Sequence, residues 1–326
     1  MTTRPVALTP VITKCFERII LKHIKDIIPA GLDQYQFAYR ENRSTEDAVS
    51  IALHTALTHL QLPNTYVRML ICGLQFSLQH SDPRQADTEA PQPGTALIAV
   101  PLDQGLPHQQ ASGGTPQGCV LSPALFTLFT SDCSAIHSTN TIVKFADDTT
   151  IVGLISDNDE THYREEIQHL TQWCSNNNLV LNTSKTKEVI VDYRRSRRTE
   201  HAPLLIHGEA VERVNNIKFL GIHITSDLTW SMNTAHLVKK AQQRLFFLRK
   251  LKRAGLSPQL LTNFYRATIE SILCLSATVW YGSCTAQDRK DFAWVVKMAQ
   301  GIVGKSSSRP GLPSGKRELR RSRCDK

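Results

Sequence analysis

The chain has 326 residues, 41% hydrophobic and 21% charged, enough to bury a sizeable core in two or three subdomains. Its net charge is +9, of which +6 sits between Lys305 and Lys326, so the body is only mildly basic. Eight cysteines without a C-x-x-C spacing, and no apolar run of membrane-spanning length, argue against a zinc ribbon, a disulfide scaffold and an integral membrane protein. The N-terminus carries no secretory pattern, so the expectation is an intracellular protein, nuclear or cytoplasmic.

Thr9-Pro10 predicts a helix start, with threonine as N-cap and proline in the first helical position. Val11, Ile12, Phe16, Ile19, Ile20, Ile24, Ile27 and Ile28 then recur at helical spacing until Pro29 and Gly31. Gln36 to Arg43 is a basic loop interleaved with aromatics, and Ser44-x-x-Asp47 predicts a capping box on a second helix. Arg40 and Arg43 are candidate phosphate ligands; the plainer reading is a solvated loop.

Tyr66 to Leu70 reads as the start of a buried strand, and there the character of the chain changes. Ile71 to Ser112 holds seven Gln and five Pro, no Lys and one aromatic, Phe76, and no helical or strand period persists. A structureless stretch of that length is foreign to a compact domain. Order returns at the turn Gly113 to Pro123, where glycine at 118 lets the backbone approach a ligand closely, followed by a short apolar helix at 124–130.

Thr141 to Gly153 holds two β-branched runs around Asp147-Asp148, which predicts a hairpin with both carboxylates at its tip. Carboxylates that close repel unless a cation lies between them, and Mg²⁺ or Mn²⁺ suits oxygen ligands. An amphipathic helix follows at about 159–177. Leu179 to Asp192 reads as strand, turn, strand with Lys185 and Lys187 in the turn, and 217–225 as an apolar hairpin. Helices at about 234–254 and 257–275 carry Lys239, Lys240, Arg244, Arg249, Lys250, Lys252 and Arg253, either a solvated face or one turned to nucleic acid.

Together these motifs resemble the reverse transcriptase domain of a LINE-type (non-LTR) retrotransposon, over most of residues 1–304 and in the family's order. Arg4 to Arg18 and Gln36 to Ala48 are similar to its two fingers motifs. Thr115 to Pro123 matches its template and nucleotide loop, and Phe145-Ala-Asp147-Asp148 its metal-binding motif. Asn182-x-x-Lys185-Thr186 resembles its lysine motif, and Phe219-Leu220-Gly221 its primer grip.

The resemblance implies an α/β right-hand polymerase that extends a DNA primer on an RNA template with deoxynucleotide triphosphates and two Mg²⁺ (or Mn²⁺) ions, with no membrane partner. On that basis Asp147 binds the metals with support from Asp148, and Lys185 serves the leaving pyrophosphate. Arg40, Arg43, Pro116, Gln117 and Gly118 hold nucleotide and template, and Phe219, Leu220 and Gly221 grip the primer. The implied layout is fingers at 1–70, an anomalous disordered segment at 71–112, and a palm with an incomplete sheet at 113–233. Thumb helices at 234–304 and a basic tail at 305–326 complete it.

One departure bears on activity. The family's other metal-binding aspartate lies in a strand reading Phe-Val-Asp-Tyr-Ser-Ser-Ala-Phe-Asn-Thr, just after the equivalent of Leu70, where this chain reads Ile71 to His80. Among the synonymous codon sets that would encode residues 71–80 is ATT TGT GGA CTA CAG TTC AGC CTT CAA CAC. Read one nucleotide later, with an A following, that set encodes the family strand. The stretch is therefore read as translated out of frame, and the chain as an inactive polymerase. The alternatives are a non-catalytic nucleic-acid-binding remnant and an unfolded pseudogene product.

Overall fold

The computed structural model describes residues 10–29, 31–76, 119–194 and 201–304. Helix α1 spans Val11–Ile27, and Pro10 is its N-cap, in extended conformation, instead of its first helical residue. Thr9 lies outside the described residues. Helix α2, Thr45–His59, opens on the expected capping box, Ser44 and Asp47 each satisfying the other's backbone N–H.

Strand β1 runs from Thr65 to Phe76. Order therefore does not stop at Leu70: residues 71–76 continue the strand that the composition of the stretch argued against. Ile71, Cys72 and Leu74 are still apolar, and pairing of the backbone depends little on which apolar residue is present. The rest of that segment, 77–112, and residues 113–118 of the turn after it lie outside the described residues.

Helix α3, Leu121–Phe129, is followed by β2, Asn140–Phe145, β3, Asp148–Ser156, and α4, Thr161–Asn176. Then come β4, Leu179–Leu181, β5, Lys187–Val191, and the short strands β6, Leu205–Ile206, β7, Glu209–Ala210, and β8, Glu212–Arg213. Strands β9, Asn216–Phe219, and β10, Ile222–Thr225, form a separate hairpin. The main sheet has the order β2-β3-β1-β5-β8, with β4 also on β1.

Strand β1 is central, and its alternation assigns the two faces. Val67 and Met69 enter one apolar cluster, and Tyr66, Leu70, Cys72 and Leu74 the other. Helix α4 covers the second face through Tyr163, Ile167, Leu170 and Trp173, the stripe its periodicity predicted. The first face is covered by α2 and by the C-terminal helices α5, Ser231–Arg253, α6, Pro258–Tyr265, and α9, Ala286–Val303. Between them lie a π turn, Arg266–Glu270, and the short helices α7, Ser271–Leu273, and α8, Ala277–Trp280. With both faces covered, the strands are apolar almost throughout.

Candidate active site

Ala146 and Asp147 form the two-residue loop between β2 and β3, and Phe145 pairs with Asp148 across it. Ala146 has φ 58°, the left-handed first position that a tight II′ hairpin loop requires. The carboxylate-bearing tip that the sequence predicts is thus built, with Asp147 half-buried and Asp148 exposed.

Three residues that sequence reasoning did not single out hold this tip. Lys144 is buried, and its Nζ donates to the carbonyls of Thr130 at 2.5 Å and Cys133 at 2.7 Å and pairs with Asp33 Oδ2 at 2.7 Å. A buried ammonium is tolerable only with such a full set of partners. Gln36 Oε1 accepts the N–H groups of Ala38 at 3.1 Å and Ala146 at 3.3 Å. Backbone bonds from Phe37 N–H to the Lys144 carbonyl and from Lys144 N–H to the Tyr35 carbonyl, both 2.9 Å, fasten the 33–38 loop to the hairpin. The available signal was a lysine inside an apolar strand, which demands a counter-charge nearby.

Strand β1 brings the other motifs to the same level. Asp148 pairs directly with Gly73, and Leu74 N–H donates to the Asp147 carbonyl at 2.9 Å. On the opposite side of Gly73, its carbonyl accepts from Asn182 N–H at 3.4 Å. Asn182 then turns the chain: its carbonyl accepts from Lys185 N–H at 3.1 Å and Thr186 N–H at 2.9 Å, and its Oδ1 from Lys185 N–H at 3.1 Å. The Lys185 side chain is exposed.

Strand, turn and strand are present at 179–191, but they are not a hairpin. Strands β4 and β5 both run antiparallel along β1, with Leu181 opposite Leu74 and Lys187 opposite Ile71, and the Asn182 turn loops out between them. Lys187 belongs to β5 and pairs with Glu212 at 3.2 Å, not to the turn.

Arg40 is tied into its own loop, its Nη1 donating to the Asp33 carbonyl. Arg43 stays exposed, its guanidinium carbon 5.3 Å above the Phe37 ring. Both therefore sit on the loop that Gln36 joins to the hairpin. Pro116, Gln117 and Gly118 lie outside the described residues. Just beyond them, the N-terminus of α3 is met by the Glu17 carboxylate, which accepts from Val120 and Leu121 N–H groups. Phe219 is buried in the core, while Leu220 and Gly221, with φ 45° and 99°, form the two-residue loop of the β9–β10 hairpin.

The decisive position is Gly73. It is the third residue after Leu70, where the Phe-Val-Asp strand would carry its aspartate, and it lies cross-strand from Asp148. A methyl group at Gly73 would meet no described atom within 4 Å, so the room for a side chain is present and the side chain is not. Among the described residues no three His, Cys, Asp or Glu converge as a metal site.

A family model described as reverse transcriptase (RNA-dependent DNA polymerase) matches residues 1–224. The chain belongs to that family. A second, short match, to the N-terminal region of alkylated DNA repair protein alkB homolog 8, covers residues 230–271. Among curated relatives, the probable RNA-directed DNA polymerase from transposon X-element of Drosophila melanogaster is 24% identical over 92% of this chain and 35% of its own length. The RNA-directed DNA polymerase from mobile element jockey of the same organism is 23% identical over 85% of this chain and 33% of its own. These relatives place the reverse transcriptase domain on the non-LTR, LINE-type side, and the chain spans about a third of their length. A solved structure of telomerase from Candida albicans, in complex with a fragment of telomeric RNA, overlaps with a TM-score of 0.34 at 13% identity. It covers 90% of this chain and 51% of that one, too loosely to argue from. Among the described residues no helix is long and apolar enough to cross a membrane.

Proposed function

We propose that this reverse transcriptase domain binds an RNA template paired with a DNA primer but does not extend it. The segment before β1 would act as fingers, the sheet with its Asp147–Asp148 hairpin as palm, and α5 to α9 as thumb. The observation that carries the reading is the pairing of Asp148 with Gly73, which leaves two carboxylates where the chemistry of nucleotidyl transfer needs a third across the sheet. Loss of one preorganised charge-stabilising group costs about 10²–10³ in rate in other enzymes. Lys185, on the turn next to Gly73, and the loop bearing Arg40 and Arg43 are spared, so ligand contacts would outlast catalysis.

The test is primer extension on an RNA template with deoxynucleotides and Mg²⁺. The unmodified chain is expected to match an Asp147→Asn, Asp148→Asn control, and Gly73→Asp to rise above it by about 10² or more. Extension by the unmodified chain well above the control would overturn the reading.

A further inference from the structure

Helix α1 is the long element that the core does not claim. Among the described helices of eight residues or more, it alone buries no residue. It rests on α3, whose N-terminal N–H groups bond to Glu17. Ile20, Leu21 and Ile24, three, four and seven residues on, share the side of Glu17 and are half-buried with it.

The side left to solvent is apolar as well. Ile12, Phe16, Ile19 and Ile27 recur at helical spacing, with His23 completing the stripe. Together with Val11 these apolar residues are 63–79% exposed, along a helix about 25 Å long. Soluble monomers rarely leave so continuous an apolar strip in water, so it marks a contact surface.

The charge around the strip says what it meets. Arg18 and Lys22 line its outer flank, both exposed, and Lys25 pairs with Glu41 at 3.5 Å. Of the helix's two acidic residues, Glu17 is turned inward to α3, which leaves Asp26 alone outside. The rim is therefore cationic and complements an anionic surface. A second copy does not complement it. Antiparallel pairing through the strip would set Arg18 and Lys22 against the same residues of the other copy, and parallel pairing would need the flank that α3 occupies. A nucleic-acid backbone would leave the isoleucines in water. An apolar strip beside basic side chains, whose aliphatic stems let the charges reach upward, is what a helix lying in a bilayer interface requires.

We propose that α1 is a membrane-surface helix. Val11, Ile12, Phe16, Ile19 and Ile27 enter the boundary of the acyl chains of an anionic bilayer, while Arg18 and Lys22 reach its phosphate headgroups. The helix lies on the bilayer and does not cross it. The family resemblance implies no membrane partner, so this surface is an addition to the polymerase hand and does not depend on nucleic-acid binding.

The experiment is co-sedimentation of the full chain with phosphatidylcholine vesicles, with and without phosphatidylserine. The chain should bind the anionic vesicles more tightly. Arg18→Gln with Lys22→Gln should weaken that binding about tenfold. Phe16→Ser with Ile19→Ser should weaken it by about 10², and both variants should keep the parent's circular dichroism because all four positions face solvent or lie half-exposed. On the unmodified chain, part of the binding should survive about 1 M salt, which screens headgroup attraction but not apolar insertion. Equal binding to both kinds of vesicle would overturn the headgroup assignment. Binding that salt abolishes and that Phe16→Ser with Ile19→Ser leaves intact would place the contact on other basic residues and sink the proposal. So would no vesicle binding, or a dimer by light scattering that the same apolar variant turns into a monomer.

Discussion

Arg68 of β1 and Glu188 of β5 form a two-pronged ion pair, Nε to Oε1 at 2.9 Å and Nη2 to Oε2 at 2.7 Å, with both side chains shut off from water. Tyr163 of α4 donates to the same Glu188 Oε1 at 2.9 Å, and Arg68 also reaches Glu160 at 2.6 Å. The network bolts the helix to the back of the sheet that carries Asp148 and Gly73. Removing one partner of a buried pair leaves the other charge stranded, at about 3–5 kcal/mol. Glu188→Ala should lose stability on that scale in urea denaturation. A loss under about 1 kcal/mol would mean that water reaches Arg68.

Gly153 sits under the same tyrosine. A Cβ there would lie 2.2 Å from Tyr163 Cδ2 and 2.9 Å from Cγ and Cε2, closer than atoms approach. Overpacking of this kind costs about 1–3 kcal/mol or more, because the ring cannot retreat without breaking its bond to Glu188. Gly153→Ala should lower Tm by several degrees. In a Tyr163→Ala background its added cost should largely vanish, because the two positions are in contact.

The sequence was most legible where local chemistry decides the outcome. Ser44 and Asp47 are enough to place a capping box, and two β-branched runs around Asp147-Asp148 are enough to place a hairpin. The Asn182 turn was visible, but not the route of its strands, since both pair with β1, more than a hundred residues earlier in the chain. Residues 71–76 misled because their composition merges with the stretch behind them, while their backbone is claimed by β3 and β4. Gln36, Asp33 and Lys144 were missed because their roles exist only across the fold. His223 and His236, on the consecutive elements β10 and α5, stand edge to face only because hairpin and helix pack.

Gly73→Asp also has a consequence that needs no polymerase assay. A carboxylate at 73 faces Asp148 cross-strand, and like charges so placed are destabilising. The variant should therefore melt below the parent in chelator. Millimolar Mg²⁺ should restore it, because a ligand bound only by the folded state stabilises in proportion to the logarithm of its excess over Kd. The parent's Tm should be nearly indifferent to Mg²⁺. Equal responses of both chains would show that position 73 does not face the same space as the hairpin tip.

Stability should also fall on mild acidification, and His201 identifies part of the cause. Its Nε2 lies 3.2 Å from Asp192 Oδ2, and its ring centroid is 4.7 Å from that of Tyr66. Burial, with Arg68 and Arg213, outweighs the pull of Asp192 and Glu160 and holds its pKa below the ordinary 6.5. Below that value the unfolded chain takes up a proton that the folded chain refuses. The contribution is therefore fully present above about pH 6.5 and is lost as pH falls from there toward the lower folded value. Asp192 and Glu160, whose pKa values are also lowered, lose their contributions only below their ordinary 3.8 and 4.5, so they leave the mild-acid window clear. His223 and His236 titrate in that window with the same sign, and the comparison must be made against the parent. His201→Gln should reduce, without abolishing, the fall in Tm between about pH 8 and pH 5.5. An unchanged slope would mean that His201 is as free to charge in the folded chain as in the unfolded one.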